Sequence, residues 1–208
     1  MAWGSTKSKQ SVNKTFRTMI KIGILGQIGS GKSYVAKCFG FPVFNADNEV
    51  SKLYEKDKKI FFKLRKTLPK FFTSFPIKKE EVTKAILANN RNLKKIINIV
   101  HLEIKKKMNI FLKKNKNKKV VILDIPLLLE NRINKKKDIL VFIQSKKKEV
   151  FKRLIKRKHF NQKIFNKFKK VQLSVDYKKK KADFIIKNDF TNKSVKKDIR
   201  FILKKILN

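Results

Sequence analysis

Ile20-Lys21-Ile22-Gly23-Ile24-Leu25-Gly26-Gln27-Ile28-Gly29-Ser30-Gly31-Lys32-Ser33 is the stretch that decides how this chain folds. Ile20 to Leu25 form an apolar run that reads as a buried strand. Gly26 to Ser33 complete the pattern G-x-x-x-x-G-K-[ST], with Gly26, Gly31, Lys32 and Ser33 at the defining positions. A helical pattern follows to about Phe39. A strand that turns through glycines into a helix aims backbone N–H groups and the positive helix end at one point. That is the chemistry of a phosphate cradle. Gly26, Gly29, Ser30, Gly31, Lys32, Ser33 and Tyr34 are therefore the expected nucleotide contacts. Lys32 is expected to reach the β- and γ-phosphates of ATP, and the Ser33 hydroxyl to ligate Mg²⁺.

Outward from the loop, strands alternate with helices. Phe41-Pro42-Val43-Phe44 reads as a second strand, Val120-Val121-Ile122-Leu123 as a central one, and Ile139 to Ile143 as another. Ala182 to Ile186 form a short last strand. Residues 48 to about 114 are mostly helical, with breaks at Pro69 and Pro76. One basic helical stretch is expected from about Lys147 to Leu173. Val195, Ile199, Ile202, Leu203 and Ile206 share a face of a closing helix. The alternation predicts an α/β fold with a three-layer parallel sheet, covered on both faces. Residues 1–18 are polar and basic and read as a disordered extension, because Met19 opens the first clean strand. Residues 19–208 read as a single domain.

The chain has 208 residues and 41% hydrophobic content, enough for a sizeable core. No apolar run approaches the ~18–20 residues that span a bilayer. The lone Cys38 excludes an internal disulfide and suits a reducing compartment, so a cytoplasmic location is expected. The formal net charge is +41, which would fit a polyanion partner. Only seven of the 56 basic residues are arginines, however, and the lysine excess runs with Asn, Ile and Phe. That mixture follows from A- and T-rich codons, and arginine is the preferred residue for specific phosphate and base contacts. No specific nucleic-acid partner is therefore expected, and no membrane partner. A monomer or weak homo-oligomer is expected.

A switch protein would need a guanine-reading Asn-Lys-x-Asp, which is missing, and the chain is short for a helicase. A small-substrate kinase fits the size. Asp124 ends an apolar strand, where a Mg²⁺-side carboxylate is common. Asp47 lies just past the second strand, at the carboxyl edge where ligands bind in open α/β sheets. It suits the proton of an attacking hydroxyl, and equally an N-cap for a helix starting near Asn48. Arg153 and Arg157 are four residues apart, so one helix would put both on one face, able to close over the transferring phosphoryl.

Several segments together resemble the dephospho-coenzyme A kinase family. The Gly23–Ser33 loop is similar to that family's, as are Phe44-Asn45-Ala46-Asp47 and Asp124-Ile125-Pro126-Leu127-Leu128-Leu129-Glu130. Arg153 to Arg157 resembles the start of its lid, and Gln172 and Ala182 to Asn188 its closing motif. The resemblance covers nearly all of residues 19–207. It implies a P-loop kinase core at 19–47, 116–146 and 182–208. It also implies a helical acceptor-binding subdomain at about 48–115 and a helical lid at about 147–175. The implied reaction is ATP-dependent phosphorylation of the ribose 3′-hydroxyl of dephospho-coenzyme A, giving coenzyme A and ADP. Lys32, Asp47, Arg153 and Arg157 are then the catalytic candidates. Asp47, Lys79, His101, Pro126, Leu127 and Glu130 would contact the acceptor, and Ser33 and Asp124 would serve the metal. Asn45 replaces an aspartate of the family pattern, Gln27 a glycine, Leu102 a proline, and Lys79 and Lys167 arginines. The alternatives are a kinase for a nucleotide or another small metabolite, a nucleic-acid-binding P-loop ATPase, and an ATP-binding regulator without turnover.

Overall fold

The computed structural model describes residues 19–157 and 160–208; the N-terminal extension expected at 1–18 lies outside them. Five strands form one parallel sheet: β1 (Ile20–Gly26), β2 (Val43–Asn45), β3 (Val120–Asp124), β4 (Ile139–Gln144) and β5 (Phe184–Lys187). Their order is β2-β3-β1-β4-β5. The chain leaves β1 toward one edge of the sheet and returns to build the other. The crevice at the carboxyl ends of β1 and β3 is therefore a topological switch point, the place where such sheets bind ligands.

Alternation along the strands fills two cores. Ile22 and Ile24, Val120 and Ile122, and Val141 and Ile143 face α1 (Lys32–Cys38) and α9 (Asn192–Leu207), packing on Val35, Ala36, Val195, Ile199 and Ile202. Leu25, Phe44, Leu123, Leu140 and Phe142 face the opposite side and join a larger core with most of the remaining helices. The expected three layers are present.

Between β2 and β3 stand α2 (Ala46–Lys56), α3 (Lys58–Thr67), α4 (Lys79–Ala88) and α5 (Asn90–Lys114). Pro69 and Pro76 fall in the gap between α3 and α4, as their missing N–H groups require. Ile96, Val100, Ile104 and Met108 make the buried stripe of α5.

The basic helical stretch after β4 is not continuous. It is α6 (Lys147–Ile155), α7 (Gln162–Val171) and α8 (Val175–Lys181). The Asn161 side chain caps α7 by accepting from Ile164 N, and Ser174 caps α8 by accepting from Tyr177 N. These local caps start a new helix twice. Because α6 ends at Ile155, Arg157 lies beyond it and does not share a helical face with Arg153.

Candidate active site

The loop after β1 has the geometry of an anion cradle. Gly29 and Gly31 hold φ values of +84° and +86°, where L side chains are strained. A Cβ on Gly29 would stand 2.8 Å from Leu154 of α6, and one on Gly31 would stand 2.5 Å from the Asn188 amide. Both glycines therefore also allow close approach by neighbouring elements. Asn188 Nδ2 and Ser145 Oγ donate to the Ser30 carbonyl at 2.9 and 3.0 Å, fastening the loop to the ends of β5 and β4. The Ser30 hydroxyl is buried without a partner among the described residues. Tyr34 projects from α1 and is 44% exposed.

Lys32 is folded over this loop. Its Nζ donates to the carbonyls of Gln27 at 2.8 Å and Gly26 at 3.3 Å. Burial pushes its pKa down to about 8, with Lys178 pushing the same way; Asp124, Asp47 and Glu130 oppose them. A cation so poorly solvated gains strongly from an anion beside it.

Three carboxylates are in electrostatic reach of Lys32, and two of them, Asp124 and Asp47, stand at the end of β3 and just past the end of β2. Asp124 is buried at the end of β3, where β2–β3 register sets Asn45 opposite it. Asn45 Nδ2 donates to Asp124 Oδ2 at 2.6 Å and lies 3.5 Å from Ser33 Oγ. One amide thus links the Ser33 hydroxyl to the Asp124 carboxylate. These are hard oxygen donors of the kind Mg²⁺ takes.

The N-cap of α2 is Asn45, whose Oδ1 accepts from Asn48 N at 2.8 Å. Asp47 sits in the first turn instead, exposed and free of the capping duty that its position also suits. Partial dehydration by the surrounding protein raises its carboxyl pKa. The negative charge of Asp124 raises it further, while Lys32 and Arg157 pull it back. Arg157 therefore faces Asp47 electrostatically, while Arg153 lies elsewhere, its guanidinium carbon 4.3 Å from the Phe190 ring centre.

The residues expected at the acceptor spread more widely. Pro126 and Leu127 are half-buried in the turn after β3. Glu130, at the end of that turn, is occupied by the protein: its Oε1 accepts from Lys178 Nζ at 2.7 Å and from Leu173 N at 3.0 Å. His101 is half-buried on α5, its pKa lowered by burial and by Lys105. Lys79 is exposed at the start of α4. Lys167 donates to Asn90 Oδ1 at 2.6 Å, tying α7 to the start of α5.

Lys178 is the residue that motif reading missed. It lies in the run Lys178-Lys179-Lys180-Lys181, and nothing local marks it as the one of the four that is buried. It and Glu130 are 4% and 9% exposed at their side chains. Lys178→Met would leave the Glu130 charge buried and unpaired, costing about 3–5 kcal/mol. We expect the melting temperature to fall by about 10 °C. The double variant Lys178→Met/Glu130→Gln should recover much of that loss in thermal denaturation. Equal melting of the single variant and the parent would contradict the buried pair.

The sequence matches the dephospho-CoA kinase family over residues 20–194, a span that includes all five strands. A dephospho-CoA kinase of Wolbachia pipientis wMel is 34% identical over 187 residues, covering 88% of this chain and 95% of that one. One from Rickettsia typhi is 32% identical over 191 residues, covering 90% and 98%. TT1252 of Thermus thermophilus superposes with a TM-score of 0.74 at 22% identity, covering 91% of this chain and 98% of that one. Dephospho-CoA kinase from Campylobacter jejuni gives 0.57 at 22%, covering 89% and 96%. At that identity the two solved structures speak for the fold. The family match and the relatives that are more than 30% identical speak for descent, and the chain belongs to the dephospho-CoA kinase family.

Proposed function

We propose that this chain transfers the γ-phosphoryl group of ATP to the ribose 3′-hydroxyl of dephospho-coenzyme A, giving coenzyme A and ADP. The observation that carries the reading is the convergence of Lys32, Asp124 and Asp47 at the mouth of the glycine loop, within electrostatic reach of one another.

The loop N–H groups and Lys32 hold the donor's phosphates. Asp47 accepts a hydrogen bond from the attacking hydroxyl and takes its proton as the bond to phosphorus forms. Its raised pKa makes it a better base than an ordinary aspartate. Phosphoryl transfer is largely dissociative, so positioning and charge stabilisation do most of the work. Arg157 supplies positive charge on the acceptor side. Ser33 and Asp124 would hold Mg²⁺, which when bound neutralises charge on the phosphates. Residues 48–115 serve as the acceptor subdomain and 147–175 as the lid, and the Lys167–Asn90 contact is one point where they meet. Lys79, His101, Pro126 and Leu127 line the acceptor's approach. Glu130 acts through Lys178, bracing the turn that carries Pro126 and Leu127. No helix among the described residues is long and apolar enough to cross a membrane.

The acceptor is tested by comparing ADP formation with dephospho-coenzyme A and with nucleoside monophosphates. We expect kcat/KM for dephospho-coenzyme A to exceed the others at least 100-fold, the scale set by polar groups built for one substrate. A nucleoside monophosphate used as well would overturn the assignment.

Lys32 also predicts a proton linkage. Its folded pKa is about 8 against an ordinary 10.5, so its charged form costs stability below pH 8. That cost fades as the pH rises from there toward 10.5. A bound triphosphate favours the charged form and restores the proton. Calorimetric titration with ATP in buffers of different ionisation enthalpy should show net proton uptake near pH 8 that shrinks as the pH is lowered. Proton release at pH 8 would contradict the placement of Lys32.

A further inference from the structure

Asn45 closes β2 and is the register partner of Asp124 across the β2–β3 ladder. Register partners on adjacent strands project to one face of the sheet, so the two side chains are neighbours. Asn45 Oδ1 accepts from Asn48 N at 2.8 Å. A backbone N–H can only donate, so the atom facing it must be the amide oxygen, and the NH₂ must face the other way. There it meets Asp124 Oδ2 at 2.6 Å. Asp124 is 2% exposed, so this donor stands in for water that burial removes. The same Nδ2 lies 3.5 Å from Ser33 Oγ. The hydrogen bonds run one way, from Asn48 N to Asn45 and from Asn45 to Asp124. Aspartate would cap α2 but set a second acceptor against Asp124. Serine would cap α2 but stop short of it.

We propose that Asn45 is a positioning residue for phosphoryl transfer: it clamps the metal-side carboxylate by one oxygen, so that Asp124 presents the other in a fixed direction. The same side chain anchors the helical turn that carries Asp47. This rests on the reading of Asp124 and Asp47 given above. Mg²⁺, the ion these oxygens fit, demands near-ideal octahedral geometry. A carboxylate held by one oxygen meets that demand in a single orientation, whereas a freely turning one offers several. Asn45 also keeps a third negative charge away from Asp124 and Asp47, whose charges already oppose one another.

Asn45→Ser keeps a cap of similar strength and should melt close to the parent. Its kcat should fall about tenfold, the scale of one lost hydrogen bond to a charged group. The Mg²⁺ concentration for half-maximal rate should rise with it. Asn45→Asp keeps cap and length but turns an oxygen toward Asp124. Without metal or nucleotide it should melt below the parent, and Mg²⁺ alone should restore it by binding between the two carboxylates. The exchanged pair Asn45→Asp/Asp124→Asn reverses donor and acceptor, and should regain the melting temperature without regaining turnover. A serine variant with unchanged Mg²⁺ dependence would make Asn45 a helix cap only and overturn the proposal, as would an aspartate variant that melts like the parent. The melting curves need no catalysis, so they decide the clamp even if the parent transfers no phosphoryl group, a result that would sink the kinase reading alone.

Discussion

Lys32→Ala should lower turnover by about 10²–10³-fold while the protein stays folded, the range seen when one charge-stabilising donor is removed. The side chain holds its place by two hydrogen bonds to loop carbonyls rather than by a salt bridge. Its pKa is held down to about 8 by burial. A charge disfavoured in the folded state is not there for stability, so alanine should leave the melting temperature the same or higher. The loss should appear in kcat and in ATP affinity together, because the ammonium meets phosphate before and during transfer. Steady-state ADP release beside thermal denaturation reads both quantities. Near-normal turnover in a folded variant would remove Lys32 from the reaction.

Asp47→Asn should lower kcat by about 10²-fold or more and leave KM for ATP within about threefold, as expected for loss of a general base. The asparagine keeps the shape but cannot take a proton. Its structural risk is small because Asn45, and not Asp47, caps α2. The raised pKa adds a second readout. In the parent enzyme the acid limb of the rate profile should lie above the ordinary aspartate value of 3.8, since protonated Asp47 cannot act as a base. That limb should vanish in the variant. A change confined to ATP affinity would place Asp47 with the donor instead.

The donor half of the site was legible in the sequence because its determinants are local. A strand, three positive-φ glycines, a lysine and a hydroxyl follow one another in a single stretch, so the motif and the geometry coincide. The strands were legible for the same reason: each is a short apolar run, and the structure moves their ends by at most two residues. The acceptor side depends on tertiary neighbours. Asn45 reads as a substitution for an aspartate, yet folding gives it two tasks: capping α2 and donating an N–H to Asp124. A second carboxylate could not donate there. Glu130 reads equally as an acceptor contact or as a brace for the turn after Pro126, and its partner Lys178 stands far along the chain. The spacing of Arg153 and Arg157 implied one face, but α6 ends at Ile155, before it reaches Arg157.

Transfer to the 3′-hydroxyl is tested most directly by the product itself. Purified protein, ATP, Mg²⁺ and dephospho-coenzyme A should give one ADP for each acceptor consumed. The product should gain the mass of one phosphoryl group and show a new ³¹P monoester signal coupled to the ribose 3′ proton. ADP formed without loss of acceptor, or a phosphoryl group carried at any other position, would contradict it.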